Sequence, residues 1–434
     1  MERIVIRPER LAGSVTPPPD KSISHRAIIL NSIARGTAVV TNLSTGGDVL
    51  STLRCVRALG VDIRTGVGDS DQITCVVHGK GLYGFKEPSN VLNAGNSGTT
   101  TRLLTGALVA QPFHSVITGD RSLRSRPMGR IIAPLRMMGA QIWGSVNDNM
   151  APLSIRGGPL IGIKYELPVA SAQVKSALLL AGLYAQGATV LHQPALSRDH
   201  TERMLRSMGI TLVDDELTLV VNPGELQAVD VSVPSDISAA AYWLVAAACH
   251  PDAEVRLTGV GLNPGRTGIL DALKAMGARI TFDNEREQCK EPIADLHAMT
   301  SSLKGVEIGG DLIPRLVDEV PLLAVAACFA EGMTVIRDAE ELRVKESDRI
   351  KTTVHELARL GADIEERPDG MVIRGKGYLK GARGRSYNDH RLAMALGVAG
   401  LLADGETIVQ GSEAAVVSYP TFWDHLQRLA SVRE

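Results

Sequence analysis

A five-residue phrase built on a Leu-Gly or Met-Gly pair recurs along the chain. The copies are Leu59-Gly60-Val61-Asp62-Ile63, Met138-Gly139-Ala140-Gln141-Ile142, Met208-Gly209-Ile210-Thr211-Leu212, Met276-Gly277-Ala278-Arg279-Ile280 and Leu360-Gly361-Ala362-Asp363-Ile364. Their glycines lie 68 to 84 residues apart, and Leu429-Ala430 follows as a degraded sixth copy. Each phrase closes an amphipathic helical pattern, with Gly as the C-terminal cap and an alternating strand after it. Ahead of each stands an almost wholly apolar helical stretch that runs into a short strand. These pairs fall at 24–34 with 36–40, 99–110 with 114–118, 171–185 with 187–191, 238–249 with 253–257, 321–330 with 332–336, and 391–403 with 405–409. Helices apolar on every side must be buried on every side. The pattern therefore predicts an α/β protein of six helix–strand–helix–strand copies. The period is longer than in common solenoids, which favours two closed domains of three copies each.

At 434 residues the chain is too long for one ordinary domain. The pattern restarts at Val231-Ser232-Val233-Pro234-Ser235-Asp236, and Pro17-Pro18-Pro19 marks a second crossing, so 19–233 is read as one domain. Formal net charge is −2, and no zinc-finger or RNA-recognition pattern occurs, so nucleic acid is not an expected partner. The cysteines Cys55, Cys75, Cys249, Cys289 and Cys328 are odd in number and scattered without CxxC spacing, which argues against disulfides and zinc. The first ten residues lack the apolar segment of a signal peptide, and the apolar stretch at 239–249 is too short to span a bilayer. A soluble, cytoplasmic protein with no membrane partner is expected.

The buried helices share polar N-terminal ends. Helix one opens with Asp20-Lys21-Ser22-Ile23-Ser24-His25-Arg26, directly after the prolines. Helix N-termini carry partial positive charge and favour acids, yet Lys21, His25 and Arg26 crowd this one. A bound anion resolves the conflict, because free backbone N–H groups and cations together form a phosphate site. The stretch 93–102, with Asn96 and Gly98, lets backbone approach an anion closely; read singly, it serves equally as a plain capping loop. Among Arg121, Arg124, Arg126 and Arg130, solvation accounts for most, and Arg126 beside Pro127 is the ligand candidate. Ser197-Arg198-Asp199-His200 can simply open a helix. In Lys345-Glu346-Ser347-Asp348-Arg349, Lys345 and Arg349 are read as i,i+4 neighbours on one helical face. Asp318 and Glu346 are the acids placed for proton transfer. No metal-ligand constellation and no Ser-His-Asp spacing is present. The predicted chemistry is acid–base and electrostatic, between two anionic small molecules in an interdomain cleft.

The motifs Asp20-Lys21-Ser22-Ile23-Ser24-His25-Arg26, 93–102, 124–129, Ser171-Ala172-Gln173, 342–349 and Asn388-Asp389-His390-Arg391 lie in order between 20 and about 425. Together they closely resemble those of the EPSP synthase (3-phosphoshikimate 1-carboxyvinyltransferase) family of enolpyruvyl transferases. The resemblance implies transfer of the enolpyruvyl group of phosphoenolpyruvate to the 5-hydroxyl of shikimate 3-phosphate, releasing phosphate, by addition–elimination. It implies an inside-out α/β barrel of two domains, each of three βαβαββ units. It also adds 1–18 to 234–434 as the domain that holds both termini. Carried onto matching positions, Lys21, Ser22, Arg26, Ser171, Ala172, Gln173, Ser197, Asp318 and Lys345 hold shikimate 3-phosphate. Lys21, Gly98, Arg126, Gln173, Arg349 and Arg391 hold phosphoenolpyruvate. Asp318 and Glu346 share the proton work with Lys21 beside them, and Asn96, His390 and Arg198 support. No cofactor or metal is implied, and a monomer is expected.

Departures from the family pattern occur at His200, where some members carry Tyr, at Val417 in place of a C-terminal Lys, and at Glu341 in place of Asn. With Ser197-Arg198-Asp199-His200-Thr201-Glu202 they look like the second, frequently glyphosate-tolerant class, although Gly98 keeps the space glyphosate needs as an inhibitor. Two rivals stand beside this reading. The sister transferase acting on UDP-N-acetylglucosamine uses a loop cysteine, and no Cys lies between Cys75 and Cys249. A non-catalytic anion-binding protein of the same fold is disfavoured by the pairing of Asp318 and Glu346 with basic residues.

Overall fold

Six helices are surrounded by protein along nearly their whole length: α1 (Lys21–Ser32), α2 (Gly98–Leu108), α3 (Ala172–Gly182), α4 (Ile237–Cys249), α5 (Val320–Phe329) and α6 (His390–Leu402). All thirteen residues of α6 are buried, as the absence of a polar face requires. The computed structural model describes residues 1–67, 73–215, 217–288 and 290–431. Cys289 lies outside these. The chain divides into two compact units: Met1–Pro18 with Pro234–Arg286 and Pro292–Glu434, and Pro19–Val233 with Glu287–Glu291.

In the unit that contains α1 to α3, three four-stranded sheets share one plan. Their strand orders are Val231–Ser232, Thr37–Thr41, Ile73–His78, Asp62–Val67; then Leu92–Asn93, His114–Thr118, Met150–Arg156, Gln141–Gly144; then Lys164–Glu166, Thr189–His192, Thr218–Val221, Leu212–Asp215. The first pair is parallel in each, and the next two pairs are antiparallel. The other unit has two sheets of the same order, Leu11–Val15, Ala253–Gly261, Glu291–Met299, Arg279–Gln288 and Glu307–Ile308, Gly332–Ile336, Gly370–Gly375, Asp363–Arg367. Its third sheet sets the N-terminal strand Glu2–Val5 antiparallel to Thr407–Gln410, which in turn runs parallel to Arg383–Arg385.

The recurring Gly phrase has one structural cause. Gly60, Gly139, Gly209, Gly277 and Gly361 take φ between +86° and +96° after the amphipathic helices Gly47–Ala58, Gly129–Met137, His200–Ser207, Gly268–Ala275 and Arg349–Arg359. The next residue then donates back five positions, as Val61 N to Val56 O (3.3 Å) and Ala362 N to Leu357 O (3.0 Å) do. This is the Schellman closure, which needs a left-handed residue and so selects Gly. The sixth helix, Phe422–Ala430, has Ser431 as its C-cap at φ −97°, and the position after it lies outside the described residues.

Close packing fixes how the buried helices run. A Cβ on Gly106 of α2 would lie 2.3 Å from the Ala177 carbonyl oxygen of α3, while Gln173 Nε2 donates to Thr99 Oγ1 (2.9 Å) at their starts. Start meets start and body meets body, so α2 and α3 are parallel and their N-terminal ends lie together. Among the described residues, no helix is long and apolar enough to cross a membrane.

Candidate active site

Within the unit of α1 to α3, the helix starts carry the cations. Asp20 Oδ1 caps α1 by accepting from Ile23 N (2.8 Å), Ser97 Oγ caps α2 from Thr100 N (3.0 Å), and Ser171 Oγ caps α3 from Val174 N (3.5 Å). Capping by Asp20 leaves Lys21 and Ser22 in the first turn. Lys21 Nζ pairs with Asp48 Oδ2 at 3.2 Å. Arg26 is buried: its Nε donates to Thr201 Oγ1 (2.6 Å), Nη2 to Ser176 Oγ (2.9 Å) and Nη1 to the Ser22 carbonyl (3.0 Å). Burial pulls its pKa down to about 10, with Glu202 and Asp20 opposing, so it stays charged at neutral pH.

At α2 two guanidinium groups close on one glycine. A Cβ on Gly98 would meet Arg102 Nη1 at 2.7 Å and Arg126 Nη1 at 3.6 Å. Arg126 Nη2 donates to Asn96 Oδ1 (2.5 Å) and Ser122 Oγ (3.2 Å), while Arg102 Nη1 donates to Gln173 Oε1 (2.6 Å). Ala172 is the first residue of α3, beside that glutamine. Ser197 Oγ donates to Gln193 Oε1 (3.0 Å), and its loop is anchored by Lys175, whose Nζ donates to the Ser197 carbonyl (3.2 Å) and pairs with Glu202 Oε1 at 2.6 Å. Both members of that ion pair are about 1% exposed, so losing one would strand a buried charge. Arg198 is half-buried at the same turn, and His200 Nδ1 lies 2.7 Å from Glu291 Oε1.

The other unit gathers carboxylates around two buried arginines. Arg349, 2% exposed, donates from Nε to Asp389 Oδ2 (2.9 Å), from Nη1 to Asp318 Oδ1 (3.2 Å) and from Nη2 to Glu346 Oε2 (2.7 Å). Burial alone would lower its pKa; Asp389, Glu346 and Asp318 outweigh burial and hold it above the ordinary value. Arg391 Nη1 lies 3.9 Å from Glu319 Oε1, and its pKa is likewise driven up, against burial, by Tyr242, Asp318, Glu319 and Asp236. Arg391 in return hydrogen-bonds Tyr242, whose hydroxyl burial pushes up to about 12. His390 opens α6 and is buried. Arg266 Nη2 donates to Asp236 Oδ1 (2.8 Å) and Ser238 Oγ (2.5 Å), and that hydroxyl donates onward to Glu319 Oε1. The starts of α4, α5 and α6 are thus joined by one polar network.

The expected placing of Lys345 and Arg349 as i,i+4 neighbours on one helical face does not occur. Asp348 Oδ1 accepts from Lys351 N (3.0 Å) and starts the helix at Arg349, so Lys345 precedes it and pairs with Glu341 at 2.7 Å instead. Capping overrides the charge pattern here. Asp389, Glu319 and Arg102 belong to these clusters; the sequence places them at polar helix starts and assigns none of them a site role. Asp389 both caps α6, accepting from Arg391 N (2.9 Å), and bonds Arg349, and the capping role alone accounts for an Asp at that position.

The family model of EPSP synthase (3-phosphoshikimate 1-carboxyvinyltransferase) matches residues 5–426. The chain belongs to the EPSP synthase family. The 3-phosphoshikimate 1-carboxyvinyltransferase of Herpetosiphon aurantiacus is 54% identical over 433 residues, 99% of both chains, and that of Gloeobacter violaceus is 54% identical over 422 residues, 97% of both. The solved EPSP synthase of Acinetobacter baumannii is 45% identical, with a TM-score of 0.87 over 99% of this chain and 98% of that one.

Three histidines give the chain a defined acid response. Burial lowers the pKa of His25 well below its ordinary value, with Lys21 and Arg26 adding to it. Burial also lowers His250, and brings His425 to about 4. A depressed native pKa means that the unfolded chain takes protons first as pH falls through about 6.5. Stability is therefore expected to drop between about pH 7 and pH 5, with a flatter profile for His25→Asn. Calorimetric melting across that range checks this; a melting temperature that rises as pH falls contradicts it.

Proposed function

We propose that the cations and capped helix starts around α1 to α3, together with the carboxylate cluster on Arg349, serve one enolpyruvyl transfer. The chain moves the 1-carboxyvinyl group of phosphoenolpyruvate to the 5-hydroxyl of shikimate 3-phosphate. The 5-hydroxyl oxygen attacks C2 of phosphoenolpyruvate, its proton passes to a carboxylate, and C3 takes a proton. A C3 proton then leaves as the C2–O bond to phosphate breaks, giving 5-enolpyruvylshikimate 3-phosphate and phosphate. The observation that carries this reading is the pairing of Asp318 and Glu346 through a single buried guanidinium, Arg349. Two carboxylates held by one fixed cation can exchange protons with substrate while the local charge stays balanced.

In this reading Lys21, Ser22, Arg26, Ser171, Ala172, Gln173, Ser197, Asp318 and Lys345 hold shikimate 3-phosphate. Lys21, Gly98, Arg126, Gln173, Arg349 and Arg391 hold phosphoenolpyruvate, with Asn96, Arg198 and His390 in support. Gly98 suits an anion because two guanidinium groups already face it. Six βαβαββ copies, three to each unit, arranged as an inside-out barrel are the fold we assign; five sheets of common strand order and six buried helices support it. Full-length relatives named 3-phosphoshikimate 1-carboxyvinyltransferase favour this substrate over a UDP-sugar.

Phosphate release on mixing phosphoenolpyruvate with shikimate 3-phosphate tests the reading, and turnover only with UDP-N-acetylglucosamine would overturn it. Asp318→Asn is expected to cut turnover by roughly 10²–10⁴-fold while both substrates still bind; near-normal turnover removes Asp318 from the proton work. Glyphosate is read as an inhibitor at the phosphoenolpyruvate end, with tolerance at His200, Glu341 and Val417 departures. Inhibition equal to that of a sensitive enzyme at matched substrate concentrations contradicts tolerance.

A further inference from the structure

Behind Lys21 and Gly98 lies a chain of buried side chains, none of which is assigned to a substrate above. His25 Nδ1 lies 2.7 Å from Thr52 Oγ1, Thr52 Oγ1 lies 2.7 Å from Thr100 Oγ1, and Thr100 Oγ1 donates to Ser97 Oγ at 2.7 Å. All four residues are fully buried. Ser97 Oγ also accepts from Thr100 N, so the chain ends on the atom that caps α2 one residue before Gly98.

The direction of these bonds follows from counting protons. Thr100 has one hydroxyl proton and gives it to Ser97, so its oxygen accepts from Thr52. Thr52 has then given its only proton, so it accepts from His25, and Nδ1 must carry a hydrogen. His25 Nε2 has no hydrogen-bond partner among the described residues, which suits the bare nitrogen of a neutral ring. Burial beside Lys21 and Arg26 keeps the ring neutral, in agreement.

The helix Gly47–Ala58 joins α1 to α2 by two rungs. Lys21 pairs with Asp48 and His25 with Thr52, and both pairs are separated by one helical turn on each side. Thr52 then extends the second rung to Thr100. The ammonium of Lys21 and the open N-terminus at Gly98 are therefore fixed to the same short helix.

We propose that His25, Thr52 and Thr100 are positioning residues that set the spacing between Lys21 and the α2 N-terminus for phosphoenolpyruvate. The proposal rests on the assignment of Lys21 and Gly98 to that substrate. Hydroxyl chains of this kind polarise one another, and a broken link leaves a buried donor and acceptor without partners.

Steady-state kinetics of the full-length chain test it, with Thr52→Val to delete the hydroxyl at constant shape and Thr52→Ser to restore it. Thr52→Val is expected to raise KM for phosphoenolpyruvate about tenfold, with KM for shikimate 3-phosphate within about twofold. Thr52→Ser is expected to stay within about threefold of the unsubstituted chain for both. Thr100→Val breaks the next link and carries the same expectation if Thr52→Val fails to fold. No shift, equal shifts in both KM values, or Ser as damaging as Val overturns the proposal. So does loss of fold in both valine variants while Thr52→Ser folds, because the chain would then serve stability and not the site. Lys21→Met reads the underlying assignment separately. An unaltered phosphoenolpyruvate KM there fails the assignment, whereas a large rise there with Thr52→Val unaltered fails the positioning chain alone.

Discussion

Near-complete burial of six apolar helices is the constraint on which the rest of this structure depends. A helix enclosed on all sides presents polar groups most readily at its ends, because a charge along its body needs a partner in the core, as Lys175 has in Glu202. In α1, α2 and α3 the first turns hold or adjoin Lys21, Arg26, Gly98 with its two guanidinium neighbours, and Gln173. In α4, α5 and α6 they hold Asp236, Ser238, Glu319 and Arg391, with Asp389 as the cap. Many of the candidate site residues therefore fall at helix starts, while Arg126, Ser197, Lys345 and Glu346 come from connecting segments. Those starts also supply unused N–H groups and the positive end of the dipole.

The two units surround their buried arginines with different acceptors. Around α1 to α3, Arg26 donates to two hydroxyls and a carbonyl, Arg126 to an amide and a hydroxyl, and Arg102 to an amide and the Pro127 carbonyl. Around α4 to α6 the arginines are met by carboxylates in their own unit, three of them on Arg349 alone. That arrangement holds Asp318, Glu346 and Asp389 against one guanidinium, which is thereby partly neutralised.

Much of the fold was legible because its signals are local. The five Leu-Gly and Met-Gly phrases each mark a left-handed helix closure, and the apolar runs mark the buried helices to within about three residues at each end. What escaped the sequence depends on contacts between distant segments. Asp389 reads as an ordinary cap until Arg349, forty residues earlier, reaches its second oxygen. Arg102 sits inside a helix pattern and becomes a site neighbour only through Gln173 on another helix. Lys345 and Arg349 have helical spacing, but Asp348 between them is the stronger local signal and starts the helix late. In each case a side chain had two roles and the nearer one accounted for it fully.

The central claim is that cations at the starts of buried helices exist to hold a phosphate. Equilibrium binding of shikimate 3-phosphate and of shikimate, measured by calorimetry under matched salt, tests it most directly. Two charge-assisted hydrogen bonds to phosphate at about 1.5 kcal/mol each predict roughly a hundredfold weaker binding of shikimate. Equal affinity for the two would contradict the account.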